Sequence, residues 1–210
     1  MSPEIDKAFV KAAYLLQLRH GPFTLAEVEG AGFASQLQDA LNLQFLVEQQ
    51  EGQQRKYSLS QRGRAQIRVV LAGGVYDVLH LGHLAALTEA KSLGDVLVAV
   101  VATDVTVEML KGRKPVFPQE DRQALVEGLK PVDRAILGYE DVGFGFEQVL
   151  VEVMPDVVAF GYDQENLERS VTEIITRRKL KIRTVKLTRY ERERFLNSTS
   201  VRQKMSEQLR

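Results

Sequence analysis

Hydrophobic and polar positions along the chain follow two different periods. In the first third they recur every three to four residues. Ile5, Ala8, Phe9, Ala12, Leu15 and Leu16 share one helical face, and the run stops at His20-Gly21-Pro22, where glycine and proline together end a helix. Thr24 opens a short helical stretch, TLAEVEGA, and Glu27 three residues later completes a capping box. After Gly32 comes ASQLQDALNLQF, with Leu37, Leu41 and Phe45 on one side. FLVEQQ and RKYSLS flank the glycine-containing loop EGQ as a hairpin, and SQRGRAQI closes the unit. From Ile67 the pattern changes to continuous apolar runs: IRVVLAG (67–73), DVLVAVVA (95–102), DRAILG (133–138), PDVVAFG (155–161) and IRTVKL (182–187). Helical patterns near 83–93, 119–130, 144–154 and 165–179 separate them.

Apolar β-branched runs that alternate with helices predict buried parallel strands. Residues 67–210 are therefore expected to form an α/β domain, a Rossmann-like doubly wound parallel sheet. Residues 1–66 form a small N-terminal domain whose three helices, hairpin and closing turn resemble a winged helix-turn-helix. No internal repeat or low-complexity tract interrupts either segment.

Composition narrows the chemistry. The chain has 210 residues, 44% of them hydrophobic, as a packed core requires. Lys plus Arg and Asp plus Glu both number 28, so no global field draws it to nucleic acid or membrane, and any such partner must be argued locally. The absence of cysteine excludes disulfides, thiolate metal sites and thiol catalysis. The first ten residues, MSPEIDKAFV, lack the apolar core of a signal peptide, and no apolar run approaches the roughly 18 residues of a membrane span, so the expectation is a cytoplasmic protein.

The chemistry-bearing stretch is GGVYDVLHLGH, 73–83, at the carboxyl end of the first strand of the sheet, where open parallel sheets bind ligands. Gly73 and Gly74 let the backbone leave the strand, and Gly82 lets a ligand approach the next helix, whose N-terminus favours an anion. His80 and His83, at i and i+3, face one way beside these glycines. Asp77 either orients an imidazole, holds a ligand group or caps the helix entry. A local metal site is not expected, because Asp77 is the only nearby carboxylate and no third histidine is local. Lys111, Arg113 and Lys114 form a basic loop stiffened by Pro115 and Pro118. Arg122 lies in the first turn of a helix, where the dipole disfavours cations, which suggests an anion nearby. Asp104 and Asp163 end two further strands. Asn197, Ser198, Thr199 and Ser200 are N-cap candidates before a last helix.

His80-Leu81-Gly82-His83 resembles the HxGH signature of the cytidylyltransferase-like nucleotidyltransferases, and Gly74, Tyr76 and Asp77 match their G-[ST]-F-D lead-in. Val75 departs from it, so only its backbone N–H remains for phosphate. The resemblance covers about residues 68–207. It implies that an acceptor phosphate attacks the α-phosphorus of a nucleoside triphosphate and that pyrophosphate leaves, with Mg2+ bridging phosphate oxygens. His80, His83, Lys114 and Arg122 would stabilise the charge that builds up. Gly74, Val75, Tyr76, Asp77, Gly82 and Asp163 would hold the nucleotide. Ser198, Thr199 and Ser200 match the family's late I-S-T-T element, preceded by Arg192 or Arg194, and Asp104 would meet the acceptor. The GYDQ and KPVDRAILG stretches are similar to the archaeal FAD synthase branch, which implies ATP and FMN as substrates. The S-T-S element keeps CTP and glycerol-3-phosphate open as the alternative, and the fold often pairs into dimers.

Two other classes compete. In a nucleotide-sensing DNA-binding regulator, ASQLQDALNLQF would enter the major groove, yet it has no lysine or arginine. Only Arg55, Lys56, Arg62 and Arg64 cluster nearby, which favours a packing or dimerisation module over nucleic-acid binding. An aminoacyl-tRNA synthetase of class I would need far more chain than follows HLGH, and its late match is confined to Lys204-Met205-Ser206.

Overall fold

The computed structural model describes residues 5–140, 145–190 and 207, divided between two compact units, Met1–Arg68 and Val69–Arg210. The first unit contains α1 (Lys7–His20), α2 (Leu25–Gly30), a 3-10 turn (Ala34–Gln36), α3 (Leu37–Asn42), the antiparallel strands β1 (Leu46–Glu51) and β2 (Gln54–Leu59), and α4 (Gln61–Arg64). Its ends are set by local chemistry. The Asp6 carboxylate accepts from the Ala8 N–H at the start of α1, and Gly21 terminates that helix at a φ of 84°. The Glu27 carboxylate accepts from the N–H and hydroxyl of Thr24 at 2.7 and 2.8 Å. Phe23 and Tyr57 exchange two backbone bonds, which adds a third lane beside the hairpin. The stretch expected as one helix from Ala34 to Phe45 is instead a 3-10 turn followed by α3. Gln44 then takes a left-handed φ of 59° and turns Phe45 toward the hairpin.

The second unit alternates β3 (Val69–Gly74), α5 (Leu81–Lys91), β4 (Val96–Val101), α6 (Asp104–Lys111), α7 (Gln119–Glu127), β5 (Arg134–Leu137), α8 (Gly145–Val153), β6 (Val157–Phe160), α9 (Glu165–Arg177) and β7 (Arg183–Lys186). All five strands are parallel in the order β5-β4-β3-β6-β7. The chain runs outward from β3 on one side, then returns to build the other side from β6. The carboxyl ends of β3 and β6 therefore flank the topological switch point, where such sheets open a crevice. Helix α6 falls where the apolar runs gave no helical pattern, because Val105, Thr106 and Val107 are β-branched and continue the strand's grammar. Two local features and one tertiary one override that propensity: Thr103 accepts from the Thr106 N–H at 3.2 Å, Gly112 ends the helix at a φ of 64°, and Val107 is fully buried. Among the described residues no helix is long and apolar enough to cross a membrane.

Register gives the sheet one feature that matters for the site. Ala135, Ala99, Ala72 and Ala159 lie side by side across four adjacent strands. All four belong to one buried cluster with Leu87 and Ala90 of α5. A row of methyl groups takes little height, so α5 seats close to the sheet and its first turn stays near the strand ends. The alternate residues Leu71, Val98 and Val158 are fully buried as well, which accounts for strands that read as unbroken apolar runs.

Candidate active site

The chain leaves β3 through Gly73 and Gly74 and enters α5 at His80. A Cβ on Gly74 would lie 2.7 Å from Cζ of Tyr76, whose ring is buried and whose backbone has a left-handed φ of 51°. The Tyr76 ring meets the His83 imidazole edge-on, with centroids 5.4 Å apart, and His83 stacks on His80 at 3.9 Å. Gly74, Tyr76, His83 and His80 thus form one continuous stack. The glycine needed at position 74 makes room for this ring, a reason that the sequence pattern did not distinguish from close approach by a ligand.

His80 occupies the N-cap of α5, a place usually held by a hydroxyl or carboxylate, and its Nδ1 accepts from the Gly82 N–H at 3.1 Å. That bond leaves the proton of the neutral ring on Nε2. Nδ1 of His83 is buried with no hydrogen-bond partner among the described residues. Burial pulls the His83 pKa down to about 4, and repulsion from His80 and Lys111 adds to the effect. Burial also lowers the pKa of His80 and raises that of the Tyr76 phenol. Burial thus favours the neutral form of both imidazoles in the unliganded protein, and both keep partial exposure. An incoming anion would reverse the electrostatic balance that keeps them so. The first turn of α5 carries no acid, whereas those of α6, α7, α8 and α9 each carry at least one. Its positive dipole end is thus the uncompensated one among these five helices.

Asp77 is almost fully buried and ties down the basic loop. Its Oδ1 accepts from the N–H groups of Val116 and Phe117 at 2.5 and 3.4 Å, and Oδ2 lies 3.5 Å from Arg113. The cap of α5 expected of Asp77 as one of three roles is made by His80 instead.

Arg122, expected to face a ligand anion, is fully buried. Its Nε donates to the Phe117 carbonyl at 3.0 Å, NH1 to the Val75 carbonyl at 2.5 Å, and NH2 to Oδ1 of Asp104 at 2.6 Å. The anion that offsets its unfavourable helix position in this structure is the Asp104 carboxylate, and the side chain is held as a brace rather than presented to open space. Asp104, expected on the acceptor side, is correspondingly engaged by Arg122, although its side chain remains 42% exposed. Arg122 thereby joins the β3–α5 loop, the start of α6 and the basic loop.

The remaining candidates divide. Lys114 is exposed on the braced loop, and Asp163 is exposed beyond β6. Ser198, Thr199, Ser200, Arg192 and Arg194 lie outside the described residues. Two further side chains near the carboxyl ends of the strands were not singled out by the sequence. Gln164 bonds the ends of β3 and β6, and Arg189 lies 5.4 Å over the Tyr162 ring. Gln164 stood inside the quoted GYDQ stretch, but no periodicity marks a side chain that pairs with the sheet. Among the described residues no three His, Asp or Glu side chains gather as a metal cage. Asp77 and Asp104 are both engaged by protein groups.

A doubly wound sheet with an acid-free helix N-terminus and paired imidazoles at its switch point defines a nucleotide-handling α/β enzyme. Comparison with known proteins makes this specific: residues 71–204 match the cytidylyltransferase-like family, and the chain belongs to that family as a nucleotidyltransferase. The match begins inside β3, so the first unit lies outside it. The FAD synthase of Aciduliprofundum boonei is 46% identical over 58% of this chain and 78% of its own length. That of Thermoplasma acidophilum is 45% identical over 66% of this chain and 94% of its own. Among solved structures, a protein from Thermoplasma volcanium described as a lipopolysaccharide core biosynthesis protein is 41% identical, with a TM-score of 0.55 over 60% of this chain and 99% of its own. The pantoate-beta-alanine ligase of Francisella tularensis, 11% identical with a TM-score of 0.50 over 66% of each chain, shares the fold.

Proposed function

We propose that the second unit transfers the adenylyl group of ATP to the phosphate of FMN, yielding FAD and pyrophosphate. The observation that carries this reading is the stacked imidazole pair at the acid-free N-terminus of α5, in a chain whose curated relatives bear the name FAD synthase. A phosphate oxygen of the acceptor forms the new bond to the α-phosphorus while the bond to the bridging oxygen of pyrophosphate breaks. The nucleophile is already an anion, so no strong base is needed. What the reaction requires is donors where charge accumulates. Nε2 of His80, the His83 ring and the helix dipole supply them on one side. Lys114 and Arg113, on the loop that Asp77 and Arg122 brace, supply charge from another. Gly82 and the Val75 N–H border the phosphates, Asp163 addresses the nucleoside, and Ser198, Thr199 and Ser200 meet the triphosphate. Magnesium accompanies ATP as part of the substrate.

The acceptor is read as FMN rather than glycerol phosphate because the curated relatives bear the name FAD synthase, and α6 and the braced loop also carry exposed apolar side chains. Val105, Met109 and Leu110 of α6, and Val116 and Phe117 of the braced loop, are all exposed. Such a surface suits the flat ring of a flavin and offers little to glycerol. We read the first unit as a winged-helix-like packing module. Arg55 and Lys56 on its hairpin face Glu48 and Glu51 at 3.7 and 2.6 Å, which lowers the net charge available to a nucleic-acid backbone. With polar phosphorylated substrates we place the enzyme in the cytoplasm. The deciding assay offers ATP or CTP with FMN or glycerol-3-phosphate and magnesium, and follows pyrophosphate. FAD from ATP and FMN is expected, whereas CDP-glycerol as the sole product would replace this reading.

A further inference from the structure

Gln164 stands at the N-cap of α9, yet its side chain makes no bond to that helix. Its amide enters the sheet instead: Nε2 donates to the Gly73 carbonyl at 2.9 Å, and Oε1 accepts from the Gly161 N–H at 2.7 Å. Direct pairing of β3 with β6 runs from Val70–Val157 through Leu71–Val158 to Ala72–Ala159 and stops there. The next polar groups of the two strands are bridged by a side chain that offers the same donor and acceptor as a peptide group. The amide therefore acts as a wider rung, and the strands part around it at the switch point.

We propose that Gln164 is a positioning residue that sets the width of this crevice, and with it the span between a phosphate-holding side on β3–α5 and a nucleoside-holding side on β6–α9. The inference rests on the nucleotidyltransferase reading but is independent of the acceptor. The two sides differ in charge as the division requires. The first turn of α5 has no acid, whereas that of α9 carries Glu165 and Glu168, which disfavour a phosphate there. The seat is also tight. A Cβ on Gly161 would come within 3.3 Å of Asp163 Oδ1 and 3.5 Å of the Gln164 amide, so the glycine gives the rung its room. A substrate that spans both sides registers the width, whereas pyrophosphate, which occupies one side, does not.

Two variants test this in the full chain. Gln164→Glu keeps the acceptor for Gly161 but turns an acceptor toward the Gly73 carbonyl, and Gln164→Met keeps the length without either bond. Binding of ATP and of pyrophosphate, each with magnesium, is measured by calorimetry, and folding by circular dichroism. Both variants are expected to bind ATP about tenfold more weakly than wild type, the size of one mispaired buried polar group, with pyrophosphate affinity unchanged. For Gln164→Glu, lowering the pH until its carboxyl is protonated restores a donor to Gly73, so its ATP affinity should return toward that of wild type at the same pH. Equal ATP affinity in the folded variants would overturn the proposal, as would parallel weakening of ATP and pyrophosphate or unfolding of both variants. A wild type that binds ATP but makes no FAD would instead refute the FMN reading and leave the role of Gln164 standing.

Discussion

Replacing Gly74 by alanine tests whether the stack from β3 to the imidazoles is one mechanical unit. The added Cβ would meet three carbons of the Tyr76 ring at 2.7, 2.9 and 3.0 Å. To reach ordinary contact at roughly 3.5 Å the ring must retreat by about 0.8 Å. It is only 5% exposed and packs edge-on against His83, so any retreat is transmitted to the imidazole pair. Overpacking of this kind costs about 1–3 kcal/mol. Loss of glycine's unfolded-state freedom returns about 0.4–1 kcal/mol. The net is a destabilisation of about 1–2 kcal/mol, and in a chain of this size each kcal/mol moves the melting temperature by about 2–4 °C. The measurement is a double-mutant cycle by thermal melting, with pyrophosphate release recorded for the same proteins. In a Tyr76→Ala background the ring is absent, so Gly74→Ala should cost nothing or stabilise slightly. If its cost is the same in both backgrounds, the clash is not with the ring and the stack does not transmit.

Three further outcomes follow from the same geometry. His80→Ala and His83→Ala should each lower kcat by about 10²-fold or more, with the melting temperature of His80→Ala falling by only a few degrees as its N-cap bond is lost; rates near wild type would show that the rings only pack. Because the folded-state pKa of His83 is about 4 against an ordinary 6.5, the unfolded chain binds more protons between those values. Stability should therefore fall as the pH drops from 6.5 toward 4, and this acid loss should shrink in His83→Gln; denaturant melts at several pH values check it. Arg122→Lys keeps the charge but replaces the three-way fork by a single ammonium, so the basic loop should loosen. Faster amide exchange at Val116 and Phe117, with a larger fall in kcat/KM than in melting temperature, is expected; unchanged exchange would remove the brace from the argument.

The helices and strands of both units could be read from periodicity wherever one rule acted alone. Continuous apolar runs marked all five parallel strands, and Gly21-Pro22 marked the end of α1. The readings that changed are those in which a side chain serves a distant part of the chain. Val105, Thr106 and Val107 look like strand because their helix depends on the burial of Val107 and on the Thr103 cap. Arg122 looked like a ligand contact because its unfavourable place in the first turn of α7 was visible. Its compensating carboxylate, Asp104, is 18 residues away in sequence. The Gln164 rung left no trace in any pattern, since glutamine before a helix resembles an ordinary polar boundary.

By itself the sequence determined the alternation of strand and helix, the glycine and histidine types at the end of the first sheet strand, and the charge balance between the two signs. These follow from local rules of period, capping and backbone freedom, which act within a few residues. Tertiary structure alone decided which groups are spent on one another. Strand order brought β6 beside β3, the alanine row seated α5 low over the sheet, and burial stacked His83 between Tyr76 and His80 and left it neutral. Pairing energies and desolvation depend on distance in space, and that distance does not exist until the sheet has closed.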